Sequence, residues 1–276
     1  MIKLDKEKET LLIPLYGKAI ESRKKNPILS DSKALDIIGK INYDFNILKI
    51  PGKTNTLMCL RAKLIDNFTR EFLSANPKSI VLHLGCGLDS RYARINNADV
   101  IWYDLDFKDV IDIRRQFFPE MDSYHLISSS VTDLAWIENI LVMDSSYLVI
   151  AEGLFMYLHE EEIKSLLNAI KERIGFYTLI FDAFSVFTSK KVKNHPSIKK
   201  TGAEIFWGID DPDEMVQWDR GIKFIKEIYF SSNEEIVNLD FGNRLAYKLA
   251  HLFPMARKAQ RIIIYEIGEA PILSNH

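Results

Sequence analysis

Residues Val81-Leu82-His83-Leu84-Gly85-Cys86-Gly87-Leu88-Asp89-Ser90-Arg91 carry a β-rich apolar run straight into Gly-Cys-Gly. Missing side chains at Gly85 and Gly87 let a backbone turn sharply and let a ligand approach it closely. Taken alone, Gly-x-Gly serves a plain tight turn equally well. The third glycine of the dinucleotide fingerprint is absent, and Leu88-Asp89-Ser90 stand in its place. That departure argues against clamping a pyrophosphate at a helix N-terminus. A ligand with an adenosine and an amino acid, but no phosphate, fits better.

The surrounding pattern supports an α/β reading. Further buried-strand candidates are Ser79–Leu84, Val100–Asp104, Tyr124–Ile127, Tyr147–Ala151 and Tyr177–Asp182, with helical patterns at Phe107–Phe117 and Glu160–Arg173. Alternating strands and helices predict a parallel sheet with right-handed crossovers. Later β-rich runs, Ile222–Phe230 and Gln260–Ile267, predict a pair of strands closing the sheet as an antiparallel edge. Ahead of the glycines, residues 11–71 have helical spacing, broken at Asn26-Pro27 and Pro51-Gly52. Ser30-Asp31 predicts a capped start for a helix at Ser32–Ile41. Leu57, Leu60, Leu64, Phe68 and Phe72 stripe a second helix over Thr56–Ser74. At 276 residues with 47% apolar content, the chain is long enough for one large domain. The expected organisation is one domain over 1–276, with a helical cap or lid at 1–75 and the α/β core at 76–276.

Three acidic positions follow the glycine turn at informative places. Ile101-Trp102-Tyr103-Asp104-Leu105-Asp106 lies about 20 residues on, where a Rossmann-type site keeps its ribose-binding acid. Asp104 and Asp106 share one strand face, and Asp106, at the carboxyl end, is preferred. Ser130-Val131-Thr132-Asp133-Leu134 offers an acid and an apolar neighbour for an adenine ring, although Thr-Asp is also a common helix cap. Glu152, in Val149-Ile150-Ala151-Glu152-Gly153-Leu154-Phe155-Met156-Tyr157-Leu158, ends an otherwise buried strand, which is costly unless the carboxylate is paired or useful.

Taken in order, these stretches resemble the leucine carboxyl methyltransferase family, and within it the bacterial polyketide (tetracenomycin-type) O-methyltransferase branch. His83–Arg91, Trp102–Asp106 and Ala151–Leu158 carry the resemblance. Pro27–Ala34, Ile41–Phe45, Arg61, Trp207–Asp211 and Trp218 extend it over most of the chain. The resemblance implies a Rossmann-like class I fold, with a mainly parallel seven-stranded sheet and an N-terminal helical layer. It implies S-adenosyl-L-methionine as cofactor, with Gly85, Cys86 and Gly87 beside its methionyl part and Arg61 pairing its carboxylate. Asp106 would hold the ribose, Asp133 and the Leu134 backbone the adenine, and Glu152 the methionyl amine. It also puts Arg23-Lys24-Lys25 forward as a substrate-carboxylate contact, against the plainer reading of an exposed helix end.

The expected activity is O-methylation of a carboxylate or hydroxyl on a small, polyketide-like molecule. Other readings are a protein C-terminal carboxyl methyltransferase, an NAD-binding dehydrogenase and a non-catalytic S-adenosylmethionine-binding protein. A carboxylate acceptor arrives ionised and needs no general base. His83, inside an apolar strand, reads as a buried hydrogen-bonded residue rather than a base. Tyr157 is the candidate for a substrate-side hydroxyl. Tyr16, Tyr43, Phe45, Phe155 and Met156 would help to wall an apolar acceptor pocket.

A net charge of −2 gives no electrostatic reason to expect nucleic acid. The basic concentration at Lys190-Lys191-Val192-Lys193 and Lys199-Lys200 reads as a solvated face. Two cysteines, Cys59 and Cys86, make neither a disulfide framework nor a zinc site, so reduced thiols, no metal and a cytoplasmic location are expected. No apolar run approaches the roughly 20 residues that span a bilayer, and no membrane partner is expected.

Overall fold

The computed structural model describes residues 9–193, 204–232, 236–237, 239 and 241–269. Lys199 and Lys200 lie outside the described residues, while Lys190 and Lys191 are exposed on a helix, Val186–Lys193.

Three helices precede the sheet: α1 (Glu9–Ser22), α2 (Ser32–Lys40) and α3 (Gly52–Ala75). Asp31 caps α2 by accepting the Ala34 amide at 2.8 Å, as an aspartate before an apolar stripe should. Pro51 opens α3, whose first turn, Gly52–Asn55, lies ahead of the predicted Thr56.

The strands are β1 (Ile80–Leu84), β2 (Ile101–Asp106), β3 (Tyr124–Ser128), β4 (Tyr147–Ala151), β5 (Tyr177–Phe184), β6 (Ile222–Tyr229) and β7 (Gln260–Ile267). They form one seven-stranded sheet in the order β3-β2-β1-β4-β5-β7-β6. β1 to β5 pair in parallel, and β7 is antiparallel to both β5 and β6. The two late strands close one side of the sheet as the expected antiparallel pair, with β7, the one reversed strand, next to β5 and β6 outermost. Burial explains the placement. β7 buries Arg261 to Tyr265 on both faces, whereas β6 exposes Lys223 and Ile225. A strand with outward lysines tolerates an edge, and an apolar one does not.

Alternate residues of the strands feed two cores. On one face Leu82, Leu84, Tyr103 and Leu105 meet Ile163, Leu166 and Ile170 of the helix Glu160–Ile174. On the other, Val81, Trp102, Leu148 and Ile150 meet Leu12, Leu15, Ile37, Leu64 and Ile65 of α1–α3. The helical layer therefore seals one sheet face. The order in which strands are added reverses between the parallel neighbours β1 and β4, so their carboxyl ends flank the crevice where ligands of open parallel sheets bind. No helix among the described residues is long and apolar enough to cross a membrane.

Candidate functional site

The glycine turn follows β1 directly. Gly85 and Gly87 have φ of 62° and 54°, backbone that side chains with a Cβ rarely adopt. A Cβ at Gly85 would also stand 3.1 Å from Leu154 Cδ1. The Gly87 amide donates to Asp106 Oδ2 at 2.7 Å, and the Phe107 amide donates to Oδ1 at 2.7 Å. Burial raises the Asp106 carboxyl above its ordinary value, and those two amides offset it only in part. Asp106 thus retains acceptor capacity suited to two vicinal hydroxyls. Cys86 is buried with the core on the helical-layer side, its Sγ 3.8 Å from the Gly87 carbonyl.

Asp104, two residues earlier, has a different task. It is fully buried and receives His83 Nδ1 at 2.9 Å, Trp102 Nε1 at 2.9 Å, Arg114 Nε at 2.9 Å and the Tyr124 hydroxyl. Burial alone would raise its carboxyl, but Arg114 and the His83 bond bring it well below the usual range. Arg114 also donates to the carbonyls of Gly87 (3.0 Å) and Asp89 (2.6 Å). Asp104 and Arg114 together brace the turn from below. His83 is held between two partners, with Nε2 3.0 Å from Arg91 Nη1, which can only donate, and Nδ1 2.9 Å from Asp104 Oδ1.

At the tip of β4, Glu152 meets Arg61 of α3. Arg61 Nε donates to Glu152 Oε1 at 2.8 Å, and Arg61 Nη1 to Asp182 Oδ2 at 3.1 Å. Arg91 Nη2 takes the other Glu152 oxygen. Burial opposes the charge on Glu152, and Arg91, Arg61 and Lys18 overcome it, holding its carboxyl well below normal. A guanidinium carries five donors, and two of those on Arg61 are engaged in these pairs, leaving a fork for a further carboxylate. Asp182, two residues before the end of β5, also accepts the Gly153 amide at 2.5 Å and Gln260 Nε2 at 3.0 Å.

Charge likewise ties the helical layer to the turn. Lys18 of α1 pairs with Asp89, Ser90 donates to Asp31, and Arg94 bonds Asp31 (2.8 Å), Asp89 (2.8 Å) and Asp66 (2.7 Å). Leu11 of α1 approaches Gly87 from above, 3.8 Å from where a Cβ would stand.

Tyr157 follows on a short 3-10 turn, Phe155–Tyr157, and is 36% exposed at the mouth of this group. Burial raises its hydroxyl pKa, with Arg61 lowering it and Asp182 raising it, so it is protonated at neutral pH. Asp133 stands farther out. It caps the 3-10 turn Leu134–Asn139 and lines a cavity of about 580 Å³ with Ser128, Ser129, Tyr103 and His125. Its link to the glycine turn is indirect, through the Ser129 amide on the Asp106 carbonyl (3.0 Å). Leu134 leans on the core.

Some expectations fail. Phe155 and Met156 do not wall a pocket: both are buried, Phe155 against Phe181 and Trp207. Tyr16 and Phe45 stack on each other within the helical layer. Arg23, Lys24 and Lys25 are exposed just after α1, which agrees with the plainer reading of an exposed helix end, and Lys24 pairs with Glu21 at 2.6 Å. Sequence reasoning missed Lys18, Arg91, Arg114 and Asp182. Asp182 was findable, because it is a carboxylate near the carboxyl end of a buried strand, which demands a partner as Glu152 does.

Similarity to known proteins runs through these residues. The sequence profile described as leucine carboxyl methyltransferase matches residues 12–171. The tetracenomycin polyketide synthesis O-methyltransferase of Streptomyces glaucescens is 34% identical over 224 residues, covering 81% of this chain and 83% of its own. The S-adenosyl-L-methionine-dependent methyltransferase dpfgK of Gibberella zeae is 32% identical over 243 residues, 80% of this chain and 81% of its own. Among solved structures, a Thermobifida fusca protein assigned to the methyltransferases superposes with a TM-score of 0.57 at 13% identity, covering 93% of this chain and 95% of its own. A DUF574-family protein of Streptomyces avermitilis gives 0.59 at 8% identity, covering 93% and 96%. At such identities the two structures speak for the fold.

Proposed function

The chain belongs to the leucine carboxyl methyltransferase family, and from that we propose that it is an S-adenosylmethionine-dependent O-methyltransferase acting on a carboxylate or hydroxyl of a small molecule. Family membership displaces the nicotinamide reading. A polyketide-like acceptor is part of the proposal, supported by the S. glaucescens relative. So are the division into a helical cap (1–75) and core (76–276), and a cytoplasmic location, which suits the unpaired Cys59 and Cys86.

One observation carries the reading. The Arg61 fork is fixed between Glu152 and Asp182, and the open-sided Asp106 carboxylate is fixed by Gly87, across the switch point of a single sheet. The residues fit S-adenosylmethionine, which when bound supplies a methyl group on a sulfonium. Arg61 pairs the methionyl carboxylate and Glu152 the amine, while Gly85, Cys86 and Gly87 offer bare backbone. Asp106 receives the ribose hydroxyls, and Asp133 with the Leu134 backbone takes the adenine edge.

Catalysis then rests on alignment, which is worth about 7–11 kcal/mol where reacting atoms are held in line. Tyr157 keeps its proton and donates to the acceptor, orienting it without serving as a base. His83 cannot take a proton from an acceptor while Arg91 holds its Nε2. A carboxylate, with a pKa of about 4, needs no such help. Leu11 and Lys18 of α1 close the turn from water.

Calorimetry with S-adenosylhomocysteine and NADH tests the cofactor class, and binding of NADH alone overturns the reading. Methyl transfer to candidate acceptors, followed by mild base, separates ester products, which release methanol, from aryl ethers, which do not.

A further inference from the structure

The helix Phe241–His251 is mounted with its apolar side outward. Phe241, Leu245, Leu249 and Leu252 recur at steps of four, four and three, a single stripe, and are 77%, 47%, 52% and 72% exposed. Phe253 (62%) and Met255 (70%) continue it. The opposite side is the packed one, where Tyr247 meets the cluster of Ile28, Leu29, Cys59 and Leu60. A stripe of this size left in water marks an interaction surface.

Charge selects the partner. Residues 241–259 contain Arg244, Lys248, Arg257 and Lys258 and no Asp or Glu, although the chain as a whole has 38 acids and a net charge of −2. Lys248 is exposed and borders the stripe, placed to carry its stem along apolar surroundings and its ammonium to a polar boundary. We propose that this face docks the protein onto an anionic lipid surface. Side chains this exposed stand proud of the protein. A protruding row of Phe and Leu with the exposed Lys248 beside it, in a segment that holds three further half-buried cations and no acid, suits a fluid acyl–headgroup boundary, which needs no preformed groove. Adsorption by one helix face is distinct from spanning, so it agrees with the lack of a spanning helix among the described residues. The segment leads into Gln260, whose side-chain amide donates to Asp182, the partner of Arg61.

The test is sedimentation of the full chain with phosphatidylcholine vesicles, with and without phosphatidylglycerol. The expected result is at least roughly tenfold stronger partition onto anionic vesicles, reduced by salt. Leu249→Glu with Leu252→Glu should lower it roughly tenfold or more, with S-adenosylhomocysteine affinity unchanged. Phe253→Trp provides an independent readout in an otherwise unaltered protein, its emission moving to the blue on anionic vesicles only. Equal partition onto both vesicles, or none, overturns the proposal. So does a dimer in light scattering that Leu249→Glu dissociates, which would make the stripe a subunit interface, or binding of an acidic protein with no vesicle binding.

Discussion

Replacing Arg114 by Met keeps most of the volume and removes the cation beneath the glycine turn. Asp104 then retains three neutral donors, His83, Trp102 and Tyr124, but no countercharge, and the carbonyls of Gly87 and Asp89 lose their donor. Breaking a buried ion pair from one side costs about 3–5 kcal/mol, and leaving a buried acceptor unsatisfied adds about 1–3 kcal/mol where water cannot reach it. Against a typical stability of about 5–15 kcal/mol, we expect a loss of about 4 kcal/mol with a weakened but folded protein. Urea unfolding followed by tryptophan emission measures it. Linkage supplies a second signature. In the native protein Asp104 is depressed, so its contribution is present above the unfolded carboxyl pKa of about 4 and fades as pH falls below it. In Arg114→Met, burial is opposed only by the hydrogen bonds that remain, the carboxyl rises, and lowering the pH relieves the strain. The difference between the two proteins should therefore shrink as pH falls. Adding Asp104→Asn to Arg114→Met should restore part of the stability by removing the stranded charge. A loss below about 1 kcal/mol, or a difference that does not change with pH, would refute the brace.

Arg61→Met should raise the S-adenosylhomocysteine dissociation constant by about tenfold or more, read by calorimetry, and Lys at that position should recover only part of it; unchanged affinity would remove Arg61 from the site. Tyr157→Phe should lower turnover with cofactor affinity intact, and weakened cofactor binding instead would refute the substrate-side role. Because Asp106 is raised by burial, S-adenosylhomocysteine affinity should fall with decreasing pH through a midpoint above the ordinary aspartate value, and Asp106→Asn should abolish that dependence. Gly85→Ala forces a Cβ into left-handed backbone and against Leu154, and should cost about 1–3 kcal/mol in thermal or urea unfolding.

Local pattern settled a good deal of this protein. Each of the seven strands lies on a β-rich run, and β1, β4, β5 and β7 are the most apolar, because a strand buried on both faces must be written in apolar residues. The Gly-Cys-Gly turn shows itself because positive φ at Gly85 and Gly87 admits few other residues. Glu152 could be picked out because a carboxylate ending a buried strand demands a partner. The partners themselves were hidden, since they are set by packing between distant segments: Arg61 and Asp182 are 121 positions apart, Arg91 and Glu152 61, and Lys18 and Asp89 71. Alternation places Asp104 and Asp106 on one face. Only the helix carrying Arg114 makes the first a buried brace and leaves the second open to a ligand. The interior position of β7 was likewise decided by burial against β5 and β6 and the two helical layers, a competition between faces that a single strand's sequence does not record.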